Sequence, residues 1–300
     1  MDLNFIKGFD SLKKERPLIH CITSPIAIND CANAVLAVGA SPIMAEHPKE
    51  VAEIVRRAKG LSVSLANITD VRAESMGIAL EAARESSVKS VIDLVGITCS
   101  QFRKELALSY INSYHPDIIK GNASEIRALL GDGKVEAVGV DVAEKDRITA
   151  DDDTRLKDMG EAVKQLAIRY GCVVLATGAV DLVSDGQVVY GLCNGTERLA
   201  SITGTGCILT CLTACYLSQV KPLYAAMLAT SVLNISAQLA EEEYMLMAGN
   251  TAESITDSIT KTNDGTEVRI GQGSFKTALF DQLSLITSKG MGEAVKIKEI

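Results

Sequence analysis

The order of apolar segments predicts an α/β protein with a mostly parallel sheet covered by helices on both faces. Three observations predict it. Apolar runs rich in β-branched residues alternate with amphipathic helical segments through most of the chain. The 300 residues are 47% hydrophobic, ample material for a buried core. No repeat, low-complexity tract or Pro/Gly/Ser linker interrupts the alternation, so residues 1–300 are expected to form a single domain.

The expected strands are Leu18–Ile22, Pro42–Ala45, Leu61–Leu65, Ser90–Val95, Asp117–Lys120 and Cys172–Ala176, each a short apolar run. Apolar residues at helical spacing mark Ile26–Val38, Lys49–Arg57, Val71–Glu85, Gln101–Ser113, Ala123–Leu130, Arg155–Arg169, Thr205–Leu217 and Leu223–Glu243. Asp181–Ser184 and Gln187–Tyr190 flank Asp185-Gly186, a hairpin signal that predicts one antiparallel excursion. Glu144–Lys157 is dense in charge and reads as a solvated loop leading into a helix start, where acids are favoured.

Charge excludes some functions. Lys and Arg number 30 against 38 Asp and Glu, a net charge of −8, and the pI is about 5.1. Nucleic acid and anionic membranes both ask for a basic face, so neither is expected as a partner. Met1–Arg16 has no signal-peptide core. Cys207–Leu217 is apolar but too short to span a bilayer, and it reads as a buried helix. Eight cysteines are scattered without a C-x-x-C pair. Cys207, Cys211 and Cys215 share one helical face, as three small buried hydrophobes would. Unpaired thiols without a signal point to a reducing cytoplasm.

Four segments carry candidate chemistry. Ile202–Cys207 holds two glycines and runs into an apolar helix. The backbone amides of Gly204, Thr205 and Gly206 can converge there as an anion hole for a phosphoryl group in transfer. A glycine helix cap explains the same letters. Cys207 falls in the first helical turn, a position that lowers a thiol's pKa. Lys120–Glu125 follows an apolar strand, and Asn122 and Glu125 stand at capping-box spacing, a sufficient structural account. They also suit a sparsely held, hydrated Mg²⁺. Asp93 closes the strand Val91-Ile92, at the sheet end where ligands of parallel α/β proteins bind, and Thr177-Gly178 closes another. Met44, in Ala40–Pro48, is either strand core or a flexible apolar contact for a small ring. His20 and His47 pair with no nucleophile in sequence and read as structural.

These residues carry a family resemblance. Pro17–Thr23, Asp30–Ala34, Gly39–Pro48, Lys120–Glu125, Thr177-Gly178, Thr203–Cys207 and Gly271–Phe275 resemble, in order, the motifs of the hydroxyethylthiazole kinase family, over nearly the whole chain. Other ribokinase-like kinases usually carry Asp where this chain has Cys207. The resemblance implies a three-layer ribokinase-like fold. It implies transfer of the ATP γ-phosphoryl to the hydroxyl of 4-methyl-5-(2-hydroxyethyl)thiazole, a salvage step toward thiamine. It further implies Mg²⁺ and a homotrimer with sites between subunits. Met44 and Gly204 would touch the thiazole, and Lys120 and Thr177 would contact ATP. Asp93, Asn122 and Glu125 would organise the metal, and Cys207 would lie beside the attacking hydroxyl.

The chain departs from the family at several points. Ser24 stands where Asn is frequent, Ser64 and Ala66 replace Asn and Gly, and Leu94 replaces Pro. Ile97–Ser100 lacks a second glycine, and Lys120 replaces Arg, keeping charge but not a bidentate fork. The 136–158 and 250–267 segments are longer than typical. The alternatives are a kinase for another small heterocyclic alcohol, or a ligand-binding relic of the fold.

Overall fold

A computed structural model of the protein describes residues 6–131, 152–247, 260–261, 267–268 and 271–300. In chain order the elements are α1 (Lys7–Glu15), β1 (Leu18–Ile22), α2 (Ile28–Ala37), β2 (Ser41–Ile43), α3 (Val51–Arg57), β3 (Gly60–Ser64), α4 (Asp70–Glu85), β4 (Lys89–Asp93), α5 (Gln101–Tyr114), β5 (Ile118–Asn122), α6 (Ala123–Leu130), α7 (Asp153–Tyr170), β6 (Val173–Thr177), β7 (Asp181–Ser184) and β8 (Val189–Leu192). There follow a 3₁₀ turn at Glu197–Ser201, α8 (Thr205–Leu217), α9 (Pro222–Met247), β9 (Thr260–Lys261), β10 (Glu267–Val268), α10 (Gln272–Leu285), α11 (Ser288–Ala294) and β11 (Ile297–Glu299).

Nine strands form one sheet in the order β11-β8-β7-β6-β5-β4-β3-β1-β2. From β2 to β6 every pairing is parallel. The β6–β7, β7–β8 and β8–β11 pairings are antiparallel. Consecutive strand residues enter opposite cores, as the two-residue period requires. Val91, Ile118 and Val173 join one cluster with Phe9, Ile208, Leu228 and Phe275, from α1 and α8–α10. Ile92, Ile119 and Val174 join the other with Met76, Ile111, Ile126 and Val163, from α4–α7. Three layers result: helices, sheet, helices.

Local chemistry sets the helix starts. Thr69 accepts from Arg72 N–H at 3.3 Å, Ser100 from Arg103 N–H at 3.2 Å and Asp152 from Arg155 N–H at 3.1 Å. Asp152 thus ends the acidic loop as a helix cap; residues 144–151 lie outside those described. Helix α8 sits so close on β3 that a Cβ at Gly60 would fall 2.5 Å from Ala214 O, so that position admits no side chain.

The sequence missed α1, α10, α11, β9, β10 and β11, and it started β2 one residue late and β6 one residue early. The second hairpin strand is Val189–Leu192 rather than Gln187–Tyr190. Pro222–Glu243 of α9 is a longer apolar stretch than Cys207–Leu217. By length and composition it passes for a membrane span, but it is 78% buried inside the protein. The longer 136–158 and 250–267 segments fall mostly outside the described residues.

Candidate active site

Strands β4, β5 and β6 end side by side, and Asp93 and Lys120 reach the first turns of α8. Their parallel register pairs Asp93 with Lys120 and Asn122 with Thr177, so residues far apart in sequence meet at one sheet edge. Above them Gly204 caps α8 at φ +92°, where a side chain would strain the backbone and its Cβ would lie 3.0 Å from Ala27 Cβ. Thr205 Oγ1 donates to Leu199 O (3.2 Å) and Ile202 O (3.3 Å), tying the loop to the helix start. The first N–H groups of α8 have no partner within the helix, and its dipole makes this end positive.

Lys120 and Asp93 form a buried ion pair, Nζ to Oδ2 at 3.0 Å, with side chains 5% and 2% exposed. Thr210 Oγ1 donates to the same Oδ2 at 2.8 Å. Burial alone would pull the Lys120 amine down. Asp93, Cys207 and Glu125 outweigh it and hold the amine above its ordinary value. The absent side chain of Gly206 matters here, since a Cβ would lie 3.4 Å from Lys120 Nζ. The ammonium and the positive end of α8 therefore converge on one spot, a geometry suited to an anion.

Asn122 and Glu125 build a full capping box. Glu125 N–H donates to Asn122 Oδ1 (3.0 Å), and Asn122 N–H donates to Glu125 Oε2 (2.7 Å). Glu125 Oε1 takes a further N–H from Gly96 at 2.8 Å. Burial first, and then the charge of Asp93, push the Glu125 carboxyl up to about 7 against these two N–H groups. Among the described residues no three His, Cys, Asp or Glu gather to hold a metal directly. Asp93, Asn122 and Glu125 are already bonded to the protein, so they fit Mg²⁺ only as a sparse set reaching it through water. A carboxylate whose proton affinity is raised by a neighbouring carboxylate leaves room for a cation.

Cys207 is 8% exposed. Its helix-start position was expected to lower the thiol's pKa. Burial, then the charge of Asp93, instead raise it, and Lys120 does not compensate. Its uncharged neighbours are Thr23 and Cys31. Thr23 Oγ1 also lies 3.6 Å from Cys31 Sγ. Cys211 and Cys215 are fully buried, as small hydrophobes would be.

Thr177 ends β6 with Oγ1 3.5 Å from Gly121 O. The next N–H, of Gly178, donates to Asp181 Oδ1 at 3.0 Å, and Asn234 Nδ2 donates to Asp181 Oδ2 at 2.7 Å. Burial pushes the Asp181 carboxyl up to about 6. Met44 lies just beyond β2, half-buried against the α8 side of the core. Two strands, β1 and β3, separate β2 from β4. Ser24 Oγ, at the first departure from the family, donates to Asn67 Oδ1 at 2.7 Å. His20 is buried and structural, donating Nε2 to Ala45 O at 2.8 Å, and burial lowers its pKa.

The hydroxyethylthiazole kinase family profile matches residues 9–289. The chain belongs to this family. Hydroxyethylthiazole kinase 2 of Clostridium botulinum (strain Hall) is 44% identical over 254 residues, which are 85% of this chain and 94% of that relative. The hydroxyethylthiazole kinase structure from Pyrococcus horikoshii OT3 superposes with a TM-score of 0.80 at 29% identity, covering 99% of this chain and 98% of that one. A ribokinase-like superfamily protein from Enterococcus faecalis V583, 12% identical, shares the fold with a TM-score of 0.59 over 94% of each chain. As a hydroxyethylthiazole kinase family member the chain is a phosphotransferase acting on an alcohol. The family's reaction phosphorylates a thiazole alcohol, with ATP as co-substrate, and serves thiamine formation.

Sequence reading missed Thr210, Thr23 and Asp181. Thr210 was within reach of it, four residues beyond Gly206 and so on the same helical face. Asp181 and Asn234 are 53 residues apart, and no local pattern links them.

Proposed function

We propose that this chain, acting over residues 1–300 as one cytoplasmic kinase domain, phosphorylates 4-methyl-5-(2-hydroxyethyl)thiazole with Mg²⁺-ATP. The observation that carries the reading is the buried Lys120–Asp93–Thr210 group under the open N–H groups of α8. The amides of Gly204, Thr205 and Gly206 would receive the transferring phosphoryl, and Lys120 and Thr177 would contact ATP. The acceptor hydroxyl would approach between Gly204, Cys207 and Met44. Its oxygen would bond to the γ-phosphorus as the bond to the β-phosphate oxygen breaks and ADP leaves, and the hydroxyl proton would pass to an oxygen of the transferred phosphoryl group and from there to water. Cys207, resting as a buried thiol, orients that hydroxyl; a loose phosphoryl transfer asks little of a base. Mg²⁺, when held through water by Asp93, Asn122 and Glu125, would neutralise phosphate charge. The free cysteines suit a reducing compartment.

We further infer a homotrimer in which the Met44 loop of one subunit covers a neighbour's site, because water must be kept from the γ-phosphate. A phosphoryl-transfer assay with Mg-ATP against a panel of small heterocyclic alcohols tests the reaction. Turnover is expected to be highest with the thiazole alcohol. Preference for a pyridine or pyrimidine alcohol would replace the substrate, and no transfer to any alcohol would overturn the reading.

A further inference from the structure

The loop beyond β2 is held from beneath by three side chains, and one of them also grips the loop beyond β1. His20 Nε2 donates to Ala45 O at 2.8 Å. Ser75 Oγ donates to Glu46 O at 2.7 Å. Arg72, 3% exposed, pairs Nη1 with the Glu46 carboxylate and donates Nη2 to Thr23 O at 2.5 Å. Among the described residues its Nε has no partner. A guanidinium stays charged, and a buried charge is costly unless paired. Arg72 meets that demand with two groups on two different loops. One loop follows Met44, and the other presents Thr23, a neighbour of Cys207.

We propose that Arg72 is a positioning residue for the acceptor alcohol. By bridging Glu46 and Thr23 it holds in place both the Met44–Glu46 loop, which in the proposed trimer borders a neighbour's alcohol, and the backbone beside Cys207, which borders its own. The proposal rests on the reading of Met44 and Cys207 as neighbours of the alcohol. A planar fork spans a carboxylate and a carbonyl together, whereas an ammonium acts as a point charge. The bridge therefore depends on Arg itself and not on positive charge. The Lys120–Asp93 pair shares no partner with Arg72, so ATP binding should not feel the change. The expectation is the same whether the Met44 loop serves its own site or a neighbour's.

The test is steady-state kinetics with 4-methyl-5-(2-hydroxyethyl)thiazole and Mg-ATP varied in turn, on the unaltered chain, Arg72→Met, Arg72→Lys and Glu46→Gln, with folding checked by denaturation midpoint. Arg72→Met and Arg72→Lys should both raise KM for the alcohol about tenfold or more, the scale of one hydrogen bond to a charged group. KM for ATP should stay within about twofold. Glu46, whose side chain is 43% exposed, gives a variant that keeps the buried Arg and loses only its charged anchor. Glu46→Gln should raise the alcohol KM in the same direction, and it carries the test if Arg72→Met does not fold. An unchanged alcohol KM in folded Arg72→Met or in Glu46→Gln would overturn the proposal. So would equal rises in both KM values, or an Arg72→Lys variant indistinguishable from the unaltered chain. No turnover by the unaltered chain would overturn the reading on which the proposal rests, and the proposal with it.

Discussion

The two faces of the first turns of α8 differ in kind. Gly206 and Thr210 look toward Lys120 and Asp93, with Glu125 close behind. Cys211 looks toward Cys31, Cys21 and Ser62, none of them charged, and Cys207 stands at the boundary, beside Thr23 and Cys31 but within reach of the charges of Asp93 and Lys120. Along one helix the surroundings thus pass from an ionic side to a side of thiols and hydroxyls, with Cys207 between them. A transferring phosphoryl group needs charge and dipoles already in place. A neutral alcohol needs shape and a hydrogen-bonding neighbour, and a buried ion beside it would cost stability. On the function proposed above, the difference divides the site by reactant.

The sharpest way to break this division is Lys120→Met. It should lower kcat/KM about 10³-fold, the upper scale for removing one preorganised donor, and destabilise the fold by roughly 3–5 kcal/mol by stranding Asp93. The double variant Lys120→Met/Asp93→Leu should recover stability in denaturant titration without recovering activity. Activity regained along with stability would make the pair merely structural.

On the neutral side effects should be smaller. Cys207→Ala should lower kcat by about 10²-fold, and Cys207→Ser by no more than about tenfold, since a hydroxyl can orient the acceptor too. Because burial raises the thiol, the rate should show no thiolate limb between about pH 6 and pH 8. A rate that climbs with pH in the unaltered chain and not in Cys207→Ser would restore the thiolate as base.

Asp181 sharpens the comparison from the charged side. Folding raises its carboxyl from 3.8 to about 6, so the folded chain keeps this proton longer than the unfolded one. Stability should therefore fall as pH rises from about 4 to about 6, by roughly 2–3 kcal/mol, and level off above. Asp181→Asn cannot titrate, so the stability difference between unaltered chain and variant should shift by that amount across the window. Urea midpoints at pH 4 and pH 7 check it, and a constant difference would contradict it. The smallest effect belongs to Cys211→Ala, expected to cost about 1–2 kcal/mol as a core truncation and to leave both KM values alone.

The sequence read well where physics is local. The parallel strands from Leu18 to Thr177 announced themselves as apolar runs, and the Asn122–Glu125 capping box was visible as spacing. The site's core pairings were not. Lys120 finds Asp93 across 27 residues and Arg72 finds Glu46 across 26, through strand register and helix docking that no window contains. Helix α10 was missed because its apolar face is thin and its start, Gly271, offers no side-chain cap. Cys207 misled for a related reason. Its place in the helix is a local fact, but its proton affinity follows from burial, which depends on the whole fold.

The sheet's borders set a rule for self-association. One outer strand, β2, has three residues and contains Pro42, which has no N–H to offer. The other, β11, also has three, and Lys298 and Glu299 are exposed on it. Neither border is a template on which another chain could extend the hydrogen-bonded ladder. Copies of this protein that met at this sheet would do so through side chains on helices and loops. Such contacts can form and separate without unfolding a strand, and they keep a high local concentration of folded chains from becoming a fibre.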